Sequence, residues 1–315
     1  MTAQTKMMDH LFRQQAGKMN SILLNKYGFE FASLIDDVIQ ETFLVASRQW
    51  VMKGMPENPE GWLMQVSKNK FLNELNRQKR HGKLNYNALE ISDIDEVTES
   101  MSDTQIKQGQ INVLFSCCSP QISVKAQIML TLKIVSGFGD REIARALIMN
   151  EESVRKAIYR ARNSIKVIGQ SVLNVSESDY EKRVDLVLRV LYLMFNEGYQ
   201  SSTGYKLLDE DITFEAIRLT GWLLDLDLKD NGKIHALLAL MFFNFSRFKA
   251  RLSEKGEILD IEEQDRKKWS IELIHKGMYH QRKSRVSEQI SKYHIESGIS
   301  SVHCSSESYE DTNWS

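Results

Sequence analysis

Residues 139–166 read GDREIARALIMNEESVRKAIYRARNSIK. Ile143, Ala144 and Leu147 recur at helical spacing and predict one short amphipathic helix. A break of three or four residues follows, and then Asn150, a good N-cap, with Glu151 and Glu152 where acids complement a helix start. Val154, Ala157, Ile158, Ala161 and Ile165 fall at i, i+3, i+4, i+7 and i+11, the signature of a buried stripe. Ser153, Arg155, Lys156, Tyr159, Arg160 and Asn163 are left facing outward. A short helix, a tight break and a second helix with a cationic outer face is the helix-turn-helix arrangement, whose second helix enters the major groove. There Arg155, Lys156 and Arg160 would meet phosphates or guanine edges, with Ser153 and Tyr159 beside them. A charge run is usually just a solvated helix face, so the motif needs support from the rest of the chain.

That support lies upstream. In LIDDVIQETFLVASRQW (34–50), Ile35, Val38, Ile39, Thr42, Ala46 and Trp50 recur at helical spacing opposite a polar face. GMPENPEGW (54–62) breaks the pattern, since Pro56 and Pro59 lack an amide hydrogen and bias the residue before them away from helix; helix resumes at Glu60 or Gly61. From Trp62 to Lys83 six basic residues face a single acid, whereas Glu90 to Asp103 holds six acids and no Lys or Arg. The net charge of −1 therefore conceals two basic blocks flanking an acidic connector. Residues 81–107 carry little periodicity and many turn-prone residues, and read as an extended linker. Trp50, Trp62 and Phe71 fall in register with core positions rather than as stacking platforms for bases.

Beyond residue 171 the composition shifts to long apolar helices, as in RVDLVLRVLYLMFNEGY (183–199) and HALLALMFFNFSRF (235–248), followed by an amphipathic pattern of Val286, Ile290, Tyr293 and Val302. At 315 residues, with 42% hydrophobic and 26% charged residues, 16 Gly and 3 Pro, an all-α protein of two or three domains is expected. The start lacks the apolar run of a secretory signal and no segment is apolar enough to span a bilayer, which predicts a cytoplasmic protein without membrane contact. Cys117 and Cys118 are adjacent and Cys304 is distant, giving neither a disulfide framework nor a zinc site; buried reduced thiols are the simplest reading.

DDVIQETFLVASRQW followed by NPEGWLMQVSKNKFLNELNRQKR resembles region 2 of extracytoplasmic-function RNA polymerase sigma factors, and REIARALIMNEESVRKAIYRARNSIK resembles their region 4, in the same order. FSCCSPQ, LYLMFNEGYQSSTGYKL, FEAIRL, ALLALM and EEQDRKKW resemble the long C-terminal extension of one subgroup, which continues into TPR-like helices. The resemblance implies a region 2 bundle over 8–80, an acidic linker over 81–107, a region 4 helix-turn-helix domain over 108–170 and a regulatory helical extension over 171–315. It implies core RNA polymerase as partner, through its beta-prime clamp helices and beta flap, with Asp37, Gln40, Glu41 and Leu44 as the clamp-docking face. It further implies promoter DNA as partner. Glu57, Asn58, Pro59, Lys68, Asn69, Asn73 and Arg77 would read the −10 element, with a base flipped into a loop pocket that recovers the few kcal/mol of extrusion. Ser153, Arg155, Lys156, Tyr159 and Arg160 would read the −35 element. The linker would thread a polymerase channel.

Two departures stand out. Many members place Gly in the region 4 turn where this chain has Ile148, a residue ill suited to a left-handed backbone, so another turn geometry is expected. The extension also stops early, at SYEDTNWS, as in a shortened member. Against an enzyme stand the lack of a glycine-rich phosphate loop, of HExxH and of any triad context for the seven histidines, so no catalytic residue, metal ligand, cofactor or small-molecule substrate is expected. Glu197, Tyr199, Glu215 and Arg218 read as capped helix ends before they read as a pocket. A stand-alone helix-turn-helix regulator with a C-terminal sensing domain is the rival, but it has no need of a second DNA-binding block or of the Asp37–Leu44 face.

Overall fold

The computed structural model describes residues 3–80, 103–168, 177–199, 210–253 and 257–312. Among these the protein is all-helical, with one isolated bridge between Leu252 and Ile258 and no strand. None of the described helices is long and apolar enough to cross a membrane. The chain divides into two compact units, 1–143 with 151–175, and 144–150 with 176–315.

The first unit begins with α1 (Ala3–Tyr27), a 3-10 turn (Phe29–Phe31), α2 (Ala32–Lys53) and α3 (Pro59–Arg80). Met19, Leu23 and Leu24 of α1, Ile35 and Ile39 of α2, and Leu63, Phe71 and Leu75 of α3 form its buried centre. Phe71 lies 4.5 Å from the Tyr27 ring and meets Phe31 edge-on, and Trp50 is buried with Phe12 and Trp62 against it, so these aromatics serve the core. Pro59 does not delay α3. It occupies the first helical position, where a missing N–H costs nothing, and Asn58 caps the helix by accepting from the Gly61 N–H at 2.9 Å.

The next described helix is α4 (Asp103–Cys117), so helix replaces the last residues of the expected linker, whose remainder up to 102 lies outside the described residues. Next come α5 (Val124–Leu130), capped by Ser123 and running into a π turn (Thr131–Val135), and then α6 (Asp140–Ala146) and α7 (Glu151–Ile168). Helices from both sides of the connector share one core: α4 and the π turn pack on α1, and α7 rests on α5 and on the Phe29–Phe31 turn. The approach is close enough to require glycine, because a Cβ on Gly17 of α1 would collide with the Val135 carbonyl. Asn25 of α1 donates to the Gly109 carbonyl of α4 at 2.8 Å. Cys117 and Cys118 are fully buried free thiols, and burial holds Cys117 well above the usual thiol range.

The second unit contains α8 (Glu177–Tyr199), α9 (Glu210–Trp222), α10 (Gly232–Ser246), α11 (Ile271–Ser284) and α12 (Lys292–Ser305). Ile234, Ala236, Leu237, Leu238, Ala239, Leu240, Met241 and Phe243 are all buried, so α10 is apolar nearly all round and must be central. It packs against α8 and α9 as well as α11 and α12, with Gly277 of α11 seated directly on the Phe243 ring. The expected helix over Val286–Val302 is corrected. Ser291 and His294 form a reciprocal cap that starts α12 only at Lys292, leaving Val286 and Ile290 exposed before it.

Candidate nucleic-acid interface

On α7 the predicted stripe is inside: Val154, Ile158, Ala161 and Ile165 are buried and Ala157 is half-buried. Each fully buried Val or Ile contributes about 1.5–3 kcal/mol, far more than surface ion pairs supply, so the apolar face sets the helix's rotation and the cationic face follows from it. Arg155, Lys156, Tyr159 and Arg160 are all exposed, and Ser153 is half-buried at the helix start. Arg155 pairs with Glu151 one turn earlier and reaches Asp140 at 3.6 Å, while Lys156 pairs with Glu152 at 2.6 Å. These solvent-exposed pairs are weak enough to be exchanged for phosphate oxygens. Tyr159, 65% exposed, and Arg160 have no ion-pair partner among the described residues.

The turn before α7 departs from expectation. Ile148 does adopt a left-handed conformation, φ 52°, the single non-glycine residue among those described to do so. The Met149 N–H closes back on the Ala144 carbonyl at 2.8 Å, the six-to-one bond of a Schellman ending, with Ile148 where glycine is usual. The turn geometry that glycine would give is therefore present without glycine.

Of the other predicted DNA residues, Asn69, Asn73 and Arg77 are exposed at i, i+4 and i+8 along α3. Arg77 pairs with Glu74 at 2.8 Å. Glu57 and Asn58 are exposed and Pro59 half-buried, but the Asn58 side-chain oxygen is committed to its cap. Lys68 is removed from the cationic face: it is 3% exposed, because its position on α3 faces the core beside Ser67 and Phe71.

Asp37, Gln40, Glu41 and Leu44 are exposed together on α2, Leu44 to 52%. Burial and the neighbouring Asp36 raise the Asp37 carboxyl above its ordinary value. Glu41 pairs with Lys70 at 2.9 Å. An open groove of about 1320 Å³ between α2 and α3 is lined by Asp37, Glu41, Lys70, Asn73, Arg77 and Lys166, so it joins residues that the sequence assigned to two different partners.

Sequence reading missed a buried charge network beneath these faces. Asp36 of α2 takes Lys133 at 3.4 Å and Arg162 of α7 at 3.5 Å, and Lys133 also holds Asp140 at 3.0 Å. The clue was present in Asp36, which precedes the polar face by one residue, and in Lys133, an isolated cation in the apolar run IMLTLKIV.

Two comparisons bear on the chain as a whole. A family of unknown function, DUF6596, matches residues 183–285, within the second unit. An uncharacterized protein of Rhizobium meliloti (strain 1021) is 30% identical over 290 residues, spanning 91% of this chain and 68% of the relative. No solved structure matches.

Proposed function

For a chain that belongs to one family with the Rhizobium meliloti protein, we propose a sigma factor: a protein that binds core RNA polymerase and directs initiation by reading −35 and −10 promoter DNA. One observation carries the reading. α7 presents Arg155, Lys156, Tyr159 and Arg160 on a surface whose opposite face is locked by buried aliphatics, behind a turn of helix-turn-helix form. The exposed amide and guanidinium stripe of Asn69, Asn73 and Arg77 supplies a second nucleic-acid face, and the Asp37–Leu44 stripe supplies a protein-docking face with one apolar member. Since Lys68 is buried, contacts to the −10 element fall to Asn69, Asn73 and Arg77 together with the Glu57–Pro59 loop. The helical segment 171–315 then acts as a regulatory extension in the cytoplasm.

The test is reconstitution. The purified protein is expected to bind core polymerase and to confer promoter-specific initiation on it, with binding that weakens steeply as salt rises. Arg155→Ala should cost on the order of tenfold in promoter affinity if that side chain reads a base. Tight binding to promoter duplex without any binding to core would overturn the proposal in favour of a stand-alone regulator.

A further inference from the structure

The second unit holds a cleft of about 320 Å³ between the ends of α8 and α10, lined among others by Asn196, Tyr199, Asn244, Arg247, Arg251 and Gln264. Its chemistry is out of balance. Arg251 is 7% exposed; its guanidinium donates to the Tyr199 carbonyl and lies 3.8 Å from the centre of the Tyr199 ring. Arg247 donates to the Tyr199 hydroxyl at 3.1 Å and to the Asn244 side-chain oxygen at 2.6 Å. Every one of these acceptors is neutral, and among the described residues neither guanidinium has a carboxylate within ion-pairing distance. The carboxylates that do line the cleft are otherwise placed: Glu296 accepts the Tyr192 hydroxyl at 2.8 Å, and Asp260 is exposed at the rim.

Arginine cannot shed its proton to relieve this, so the buried Arg251 and the half-buried Arg247 keep two positive charges that neutral acceptors do not cancel. Burial, together with the neighbouring Arg247, holds Arg251 below the usual arginine range. Two polar atoms also remain buried without a hydrogen-bond partner, the Arg247 Nε donor and the Gln264 Oε1 acceptor, and Gln264 is itself only 8% exposed. Buried polar atoms are almost always satisfied, and both orphans belong to side chains that line this cleft, so a small turn of either side chain would present it to a ligand. A donor flanked by two uncancelled cations suits an oxyanion, and the acceptor suits a hydroxyl or amine on the same molecule. The volume is that of a small metabolite.

We propose that this cleft is a binding site for a small oxyanion, a carboxylate or phosphate compound bearing a hydroxyl or amine, with Arg247 and Arg251 as its charge partners and Gln264 as its acceptor. The site stands independently of what the first unit does.

The test uses the full chain, with sodium phosphate, sodium acetate and sodium glycolate as probes and sodium chloride at matched ionic strength as control. Phosphate or the carboxylates should raise the melting temperature saturably above the chloride baseline; which of them does so separates a phosphate ligand from a carboxylate one, and glycolate should exceed acetate if Gln264 takes a hydroxyl. Asn244→Asp places a permanent carboxylate on Arg247 with no change of shape. It should melt higher than the parent without probe and bind the active anion at least tenfold more weakly. Arg247→Met, checked for native helicity by circular dichroism, should lose binding to the same extent. No anion surpassing chloride, or both folded variants binding as the parent does, would overturn the site.

Discussion

Ile148 carries a backbone angle that costs a β-branched residue about 1–2 kcal/mol. It persists because the Met149-to-Ala144 hydrogen bond closes α6 only if residue 148 is left-handed, and its side chain, 43% exposed, contributes little burial in return. Glycine removes the steric cost while adding unfolded-state freedom worth about 0.5–1 kcal/mol. Ile148→Gly is therefore expected to stabilise the protein by roughly 0.5–1 kcal/mol, read as a higher urea midpoint; a lower midpoint would mean that the isoleucine side chain holds the turn. Lys68 teaches the complementary lesson. Counting charges places it in a basic block, whereas its helical phase between Leu63 and Phe71 places it inside, and phase prevails.

At the scale of elements, α10 and α11 meet through a histidine pair. His235 and His280 face each other Nδ1 to Nδ1 at 2.8 Å, with the His280 ring stacked on Phe242. One nitrogen must donate and the other accept, so the two rings cannot both carry a proton on Nδ1. Burial, followed by the charge of His235, pushes His280 down to about 4, and burial with Lys283 lowers His235 as well. The folded state thus binds fewer protons than the unfolded chain between pH 6.5 and about 4. Stability from this pair is fully present above pH 6.5 and falls as the pH drops through that window. His280→Phe, which keeps the stack on Phe242, should flatten the dependence of the melting temperature on pH over that range. An unchanged slope would place the titrating group elsewhere. Tyr279 and Lys283 also border the pair.

For the molecule as a whole, the first unit joins helices from either side of residues 81–102, and Asp36 is the point where α2 meets α7 and the π turn electrostatically. Lys133 keeps Asp140 at 3.0 Å, but Arg162, almost wholly buried, pairs with Asp36 alone among the described residues, so removing that carboxylate strands a buried cation; such losses cost about 3 kcal/mol or more. Asp36→Asn should accordingly destabilise the protein by about 3 kcal/mol and speed amide hydrogen exchange in α7 as well as α2. Faster exchange confined to α2 would show that the two helices are held independently. The sequence by itself determined the helical class, the buried stripe of α7, the breaks near Gly54 and Ile148 and the apolar character of α10. The stripes follow from local periodicity, which depends only on 3.6 residues per turn, and the break near Gly54 from Pro56 and Pro59. Tertiary structure alone decided that Asp36 meets Arg162, 126 residues away, and that Arg247 and Arg251 share a cleft with Tyr199 and Gln264. Two arginines four residues apart beside an apolar helix, in SRFKAR, were legible as a pattern. Their missing counter-charge was not, because the pairing of buried charges is set by which elements approach one another, and periodicity within a single element carries no record of that.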